Sequence, residues 1–142
     1  MDIVELTAES DLRAAFPVMR QLRSHLDEDR YLALLRTMMP RGYRLLAVRD
    51  GGRIVAVAGI EVRTALHFGR HVWVNDFVTA AEARSHGYGR VLLAHVEELG
   101  RREGCSVIAL NSGLQRLDAH RFYEQHMGYT RVSYSFRKRL EE

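Results

Sequence analysis

The chain has 142 residues, of which 46% are hydrophobic and 27% charged. That is the size and balance of one folded domain that buries a core without disulfides or metals, and it excludes a disordered or fibrous chain. A formal charge of +3 would suit a nucleic-acid partner, but the arginines are spread from Arg13 to Arg139 with no helix-turn-helix, zinc-finger or RNP motif, so none is expected.

No apolar run approaches the roughly 20 residues that span a bilayer, and the acidic start MDIVELTAESD is unlike a secretory leader. A cytoplasmic protein with no membrane partner is expected. The single cysteine, Cys105, forms no CxxC pair and reads as small core filler. His86, His95, His120 and His126 show no HExxH or Cys/His pattern, so no metal is expected.

In chain order, the alternation over 2–7 predicts a first strand, with Thr7 capping the helix that follows. Leu12, Phe16, Met19, Leu22 and Leu26 recur at helical spacing from Glu9 to about His25, and Pro17 within that stripe is a place to kink or split it. Tyr31, Leu34, Leu35 and Met38 form a second stripe, capped by Asp27 and ended by Pro40 and Gly42. Runs 43–49 and 53–63 flank Asp50-Gly51-Gly52 and predict a β-hairpin.

A third run covers 71–79. Helical periodicity then appears at Val91, Leu92, Val96 and Leu99, with Arg101 and Arg102 in the last turn. A short apolar strand follows over 107–110, a short helix over 119–126, and a closing strand with alternating aromatics over 130–140. The order βααβββαβαβ predicts an α/β fold with a central twisted mixed sheet flanked by helices. With no repeat or linker, it predicts a single domain over 1–142.

Arg84-Ser85-His86-Gly87-Tyr88-Gly89-Arg90 falls where a strand gives way to an amphipathic helix. The first N–H groups of a helix lack intrahelical partners and the helix dipole adds positive charge, so a phosphate is favoured there. Gly87 and Gly89 let such a ligand reach the backbone; Arg84 and Arg90 are either phosphate contacts or solvated loop residues. A dinucleotide fingerprint would want a third glycine where Leu92 stands, and no Gly-Lys-Ser/Thr is present for a Walker loop.

Arg84-x-x-Gly87-x-Gly89 resembles the Gln/Arg-x-x-Gly-x-Gly/Ala signature of the GNAT superfamily of N-acetyltransferases, and Asp76-Phe77-Val78-Thr79 looks like that family's cofactor strand. Ala119-x-x-Phe122-Tyr123-Glu124 followed by Gly128-Tyr129 resembles its C-terminal segment. Two departures stand out. Arg116 replaces a common asparagine, and the interval from Tyr123 to Gly128 is one residue longer than usual.

The resemblance implies a single-domain, acetyl-CoA-dependent N-acetyltransferase, with acetyl-CoA as cosubstrate and direct attack by a primary amine in a ternary complex. It implies cofactor contacts from Phe77, Val78, Thr79, Arg84, Ser85, His86, Gly87, Tyr88, Gly89, Arg90, Asn111 and Arg116. Tyr123 is then the acid that protonates the departing thiolate. Transfer also needs an uncharged amine; Glu61, His71, Asn75 and Asp76 border the expected cleft, with Asp76 the first choice of base.

Asn111 suits the pantetheine amides or a loop cap equally. A small-molecule or peptide amine is the expected acceptor, and polyamine, antibiotic, amino acid and protein N-terminus all fit; a homodimer is left open. The alternative is a catalytically silent acyl-CoA-binding sensor or interaction module, against which Tyr123 argues.

Overall fold

The computed structural model describes residues 1–141, and these divide into two compact units, Met1–Leu110 and the residues from Asn111 onward. In the first unit β1 (Asp2–Leu6), β2 (Arg44–Asp50), β3 (Arg53–Ala65), β4 (Gly69–Thr79) and β5 (Val107–Leu110) form one sheet in that spatial order. The first four strands are antiparallel neighbours, and β5 runs parallel to β4. Helices α1 (Glu9–Leu22) and α2 (Glu28–Met38) lie between β1 and β2 in the chain, and α3 (Tyr88–Arg102) makes the crossover from β4 to β5. This is the mixed, helix-flanked sheet the sequence predicts.

The stripes read from the sequence are the buried ones. Leu12, Ala15, Phe16, Val18 and Met19 of α1 are buried, as are Leu92, Leu93, Val96 and Leu99 of α3. Pro17 sits on the exposed side of a helix that continues unbroken to Leu22. There the carbonyl it leaves unbonded, at Arg13, can reach water. Asp27 caps α2 by accepting from the Arg30 N–H at 2.8 Å.

The second unit holds α4 (Leu117–Arg121), which runs into a π-helical turn over Phe122–His126. Its mark is the Met127 N–H donating to the Phe122 carbonyl at 3.1 Å, an i→i+5 bond that absorbs one extra residue in a helix. This turn accommodates the long interval between Tyr123 and Gly128.

Two expectations are corrected. Thr7 does not cap α1; the N-cap is Ala8, which offers no side-chain oxygen, and Glu9 and Asp11 in the first turn supply the negative charge that the helix start favours. Residues 130–140 form no strand: Val132, Tyr134 and Phe136 are exposed. Alternation defines a face, but a strand also needs a neighbour for its N–H and C=O groups, and among the described residues of this unit there is no other strand.

Candidate active site

The register of β3 against β4 places Asp76. Gly59 pairs with Asp76 and Ile60 with Val74, and paired residues share a face whereas consecutive ones do not. Asp76 and Val74 therefore face opposite sides although they are two residues apart, so Asn75 is the extra residue of a β-bulge. Val74 looks toward α3, whose Gly100 lies so close to Val72 that a Cβ there would come within 2.7 Å of it. Asp76 is turned to the α1 side.

There its carboxylate is held at both oxygens. Arg23, which ends α1, donates from Nε to Oδ1 at 2.8 Å and from Nη2 to the Asn75 carbonyl, also at 2.8 Å. The Tyr43 hydroxyl donates to Oδ2 at 2.7 Å. Burial, then the Asp76 charge, push the Tyr43 phenol well above its ordinary pKa, so it stays a neutral donor. A Cβ on Gly59 would lie 1.7 Å from the Tyr43 oxygen, so only glycine at that strand position admits the ring.

Beside this cluster is a cavity of about 290 Å³. Its walls are apolar along Met19, Leu26, Leu34, Leu35 and Met38, and its polar rim is Arg23, His25, Tyr31, Tyr43 and Asp76. Burial and the Asp76 charge also raise the Tyr31 phenol, which donates to the Leu12 carbonyl at 2.7 Å. A larger cavity of about 560 Å³ between β1, β2 and α3 holds none of the expected site residues. Its rim charges Glu5, Arg44, Arg70 and Glu103 pair with one another.

The other expected bases are engaged elsewhere. His71 is 3% exposed, with Nδ1 3.0 Å from the Gly69 carbonyl. Glu61 accepts from Asn75 Nδ2 at 2.7 Å and from Arg63 at 2.6 Å. Burial opposes ionisation of Glu61, but these bonds and the Arg63 charge outweigh it and hold the carboxyl below its ordinary pKa.

On the far edge of β4 the ladder to β5 ends at Val74, level with Leu110, so Asp76–Thr79 runs on past the end of β5. The chain then turns through Ala81–Ala83 into the glycine segment. Ser85 (φ 67°) and Gly87 (φ 80°) are left-handed, and Gly87 is the N-cap of α3, which has no side-chain cap. His86 turns its Nδ1 back toward the Ala83 and Arg84 carbonyls, at 3.0 and 2.9 Å, and stacks on Tyr88. Tyr88 donates to Asp50 at the end of β2. Arg84 reaches the Thr79 carbonyl at 3.5 Å, and Arg90 is exposed.

In the second unit, Tyr123 is 7% exposed and lies against Phe122 and Tyr129. Burial raises its phenol, and the nearby Arg116 charge partly offsets this. Arg116 is the N-cap of α4. Asn111 donates to Ser135 Oγ at 3.5 Å, and the neighbouring Ser112 Oγ is buried without a partner among the described residues.

The profile of the acetyltransferase (GNAT) family matches residues 7–129. The chain belongs to the GNAT acetyltransferase family. It is 41% identical over 135 residues to the uncharacterized N-acetyltransferase YhdJ of Bacillus subtilis (strain 168), covering 94% of this chain and 95% of that one. It is 30% identical over 102 residues to the aminoalkylphosphonate N-acetyltransferase of Salmonella typhimurium, covering 71% of this chain and 65% of that one. A GNAT family acetyltransferase from Staphylococcus aureus has the same fold, with a TM-score of 0.78 at 25% identity over 99% of this chain and 100% of that one.

As an N-acetyltransferase of this family it uses acetyl-CoA, and the glycine segment fits that ligand. A Cβ on Gly87 would meet nothing within 4 Å, so the approach to the uncapped N–H groups of α3 is open, the setting in which a pyrophosphate is held. The buried, partnerless Ser112 hydroxyl is likewise suited to an amide-bearing ligand. Sequence reasoning missed Arg23, Tyr43 and Tyr31. The one signal was Gly59, a glycine inside a strand otherwise rich in valine and isoleucine, which marks a bulge or a close approach.

Proposed function

We propose that this GNAT enzyme transfers the acetyl group of acetyl-CoA directly to the primary amine of a small acceptor, in a ternary complex. The bulge at Asn75 carries the reading. It lets one stretch of β4 offer its edge beyond β5 to the cofactor arm while turning Asp76 into the cavity under α1 and α2. Acetyl-CoA supplies an activated thioester.

The chain's own residues divide the work as follows. Backbone groups of Phe77, Val78 and Thr79 line the arm. Gly87, Tyr88, Gly89 and Arg90 at the start of α3 hold the pyrophosphate, with Arg84, Ser85 and His86 shaping the turn; on the family resemblance Asn111 and Arg116 are further cofactor contacts. Tyr123 Oη, kept protonated by burial, gives its proton to the sulfur as the C–S bond breaks; the proton that the nitrogen sheds on forming the amide leaves to water, from which Tyr123 is reprotonated.

Asp76 takes a different role from the base expected of it. Both its oxygens already accept hydrogen bonds, one from a fixed cation, so it anchors and aims the amine, which enters uncharged. The family profile runs through both compact units, which supports reading the chain as one acetyltransferase domain. The relative that acts on aminoalkylphosphonates supports a small acceptor.

The test is thiol release from acetyl-CoA with a panel of small amines across pH. With no protein base, kcat/KM should rise about tenfold per pH unit until the amine's own pKa is reached. A plateau well below the amine's pKa would put a base back into the site, and thiol release with peptides alone would overturn the small acceptor.

A further inference from the structure

Among the described residues, the cavity between α1, α2 and β4 has one carboxylate on its rim, Asp76, and that carboxylate is already paired with Arg23 at 2.8 Å. The rim's formal charge is therefore zero with His25 neutral, and positive when His25 is protonated. A polyamine or an aminosugar antibiotic would bring two or more ammonium groups into this space and find no unpaired acid to meet the second one. Nothing in the lining offsets that cost.

Arg23 commits only part of its fork. Nε and Nη2 hold Asp76 and the Asn75 carbonyl, and Nη1 makes no hydrogen bond among the described residues. The side chain is 40% exposed, and His25 lines the same cavity. A guanidinium edge and an imidazole on one cavity supply a donor set for an oxyanion. The same cavity is lined by Leu26, Leu34 and Met38, which offer only apolar surface.

Taking the transferase reading above as its basis, we propose that the acceptor is a small zwitterion, one primary amine and one oxyanion group joined by a short carbon chain. Its oxyanion sits on Arg23 and His25, its chain lies along the leucine and methionine wall, and its amine points to Asp76. Arg23 is thus a specificity residue: it reads the anion and removes the charge that would attract a polycation. Carboxylate and phosphonate share this chemistry, and the test includes both.

The experiment compares 4-aminobutyrate and 3-aminopropylphosphonate with butylamine and putrescine, probes of similar length that differ in the end group. Both kcat/KM and calorimetric binding in the presence of CoA are measured, on the wild-type protein and on Arg23→Gln and Arg23→Lys. In the wild type at least one zwitterion should exceed butylamine by about tenfold or more, the scale of one charge-assisted contact, with putrescine weakest. Arg23→Gln should abolish the zwitterion preference and raise putrescine relative to butylamine, because Asp76 is then unpaired; Arg23→Lys should keep part of the preference.

Putrescine or butylamine matching the zwitterions in the wild type would overturn the proposal. So would an Arg23→Gln variant that weakens all four probes equally, the mark of a purely structural role. The rise in melting temperature on adding CoA reports the transferase reading independently: protein that binds CoA and prefers putrescine refutes the acceptor class alone, and protein that does not bind CoA refutes both.

Discussion

Replacing Gly59 with alanine tests the architecture that holds Asp76. The new Cβ would lie 1.7 Å from the Tyr43 hydroxyl and 2.3 Å from the ring carbon bearing it, and Tyr43 is 3% exposed, so the ring must leave its place in a packed interior. Overpacking of this kind costs about 1–3 kcal/mol. The hydrogen bond to the Asp76 carboxylate is lost as well, worth about 1.5–3 kcal/mol for a charged partner. Together these give about 2.5–6 kcal/mol, a fall in Tm of about 8–20 °C for a chain of this length.

Urea unfolding measures that loss, and a mutant cycle identifies its source. Tyr43→Phe alone should cost only the hydrogen-bond part. In a Tyr43→Leu background, where the ring is gone, Gly59→Ala should cost less than about 1 kcal/mol, a coupling well above the few tenths expected of independent sites. An equal cost of Gly59→Ala in both backgrounds would refute the argument, because the clash would not be with Tyr43. The Gly59→Ala enzyme should also show a raised KM for the amine, since Asp76 loses one of its two tethers.

Gly87→Val should lose about 1–2 kcal/mol of stability, because an L residue at φ 80° is strained, and should weaken acetyl-CoA binding by tenfold or more by setting a branched side chain before the first N–H groups of α3. Gly104→Val, at φ 78° and equally free of neighbours, should show the strain and leave affinity unchanged; equal losses of affinity would refute the assignment. Tyr123→Phe should keep cofactor affinity and lower kcat about 10²-fold, and an unchanged kcat where chemistry limits turnover would leave Tyr123 a packing residue. Tyr31 and Tyr43 both have phenols raised above the ordinary 10.0, so their contribution is complete below pH 10 and is lost as pH climbs from there toward the folded-state values. Unfolding free energy should fall by about 1.4 kcal/mol per pH unit for each above pH 10, and Tyr43→Phe should remove one share of that slope.

The elements were legible where one local cause sufficed. The stripes of α1 and α3, the Asp27 cap and the glycine hairpin each follow from residues within a turn or two of one another. The glycine turn before α3 was legible for the same reason, because Ser85, Gly87 and the helix start lie within a few residues of one another. The cluster around Asp76 was not, because Arg23, Tyr43, Gly59 and Asp76 meet only through the bulge at Asn75, and one extra residue in β4 reverses which face Asp76 occupies. Nothing in the alternation over 71–79 announces that insertion. The segment over 130–140 shows the opposite failure: its alternation was plain, but alternation records a face and not a partner strand.

The pairing of Arg23 with Asp76 also bears on the chemistry of the amine. A lone carboxylate about 4 Å from an ammonium stabilises it by about 4 kcal/mol at an effective dielectric of 20, which raises the amine's pKa by about three. Only about one-thousandth as much of the nucleophilic free base would then be present at neutral pH. With Arg23 at 2.8 Å from the same carboxylate, most of that field is cancelled, while a carboxylate's remaining lone pairs can still accept an N–H of the neutral amine. On the proposed reading, the site thereby aims the nitrogen without holding it in its unreactive form. On this argument Arg23→Gln should move the rising limb of the pH profile for a simple monoamine to higher pH, even though the new side chain removes no group from the path of the proton.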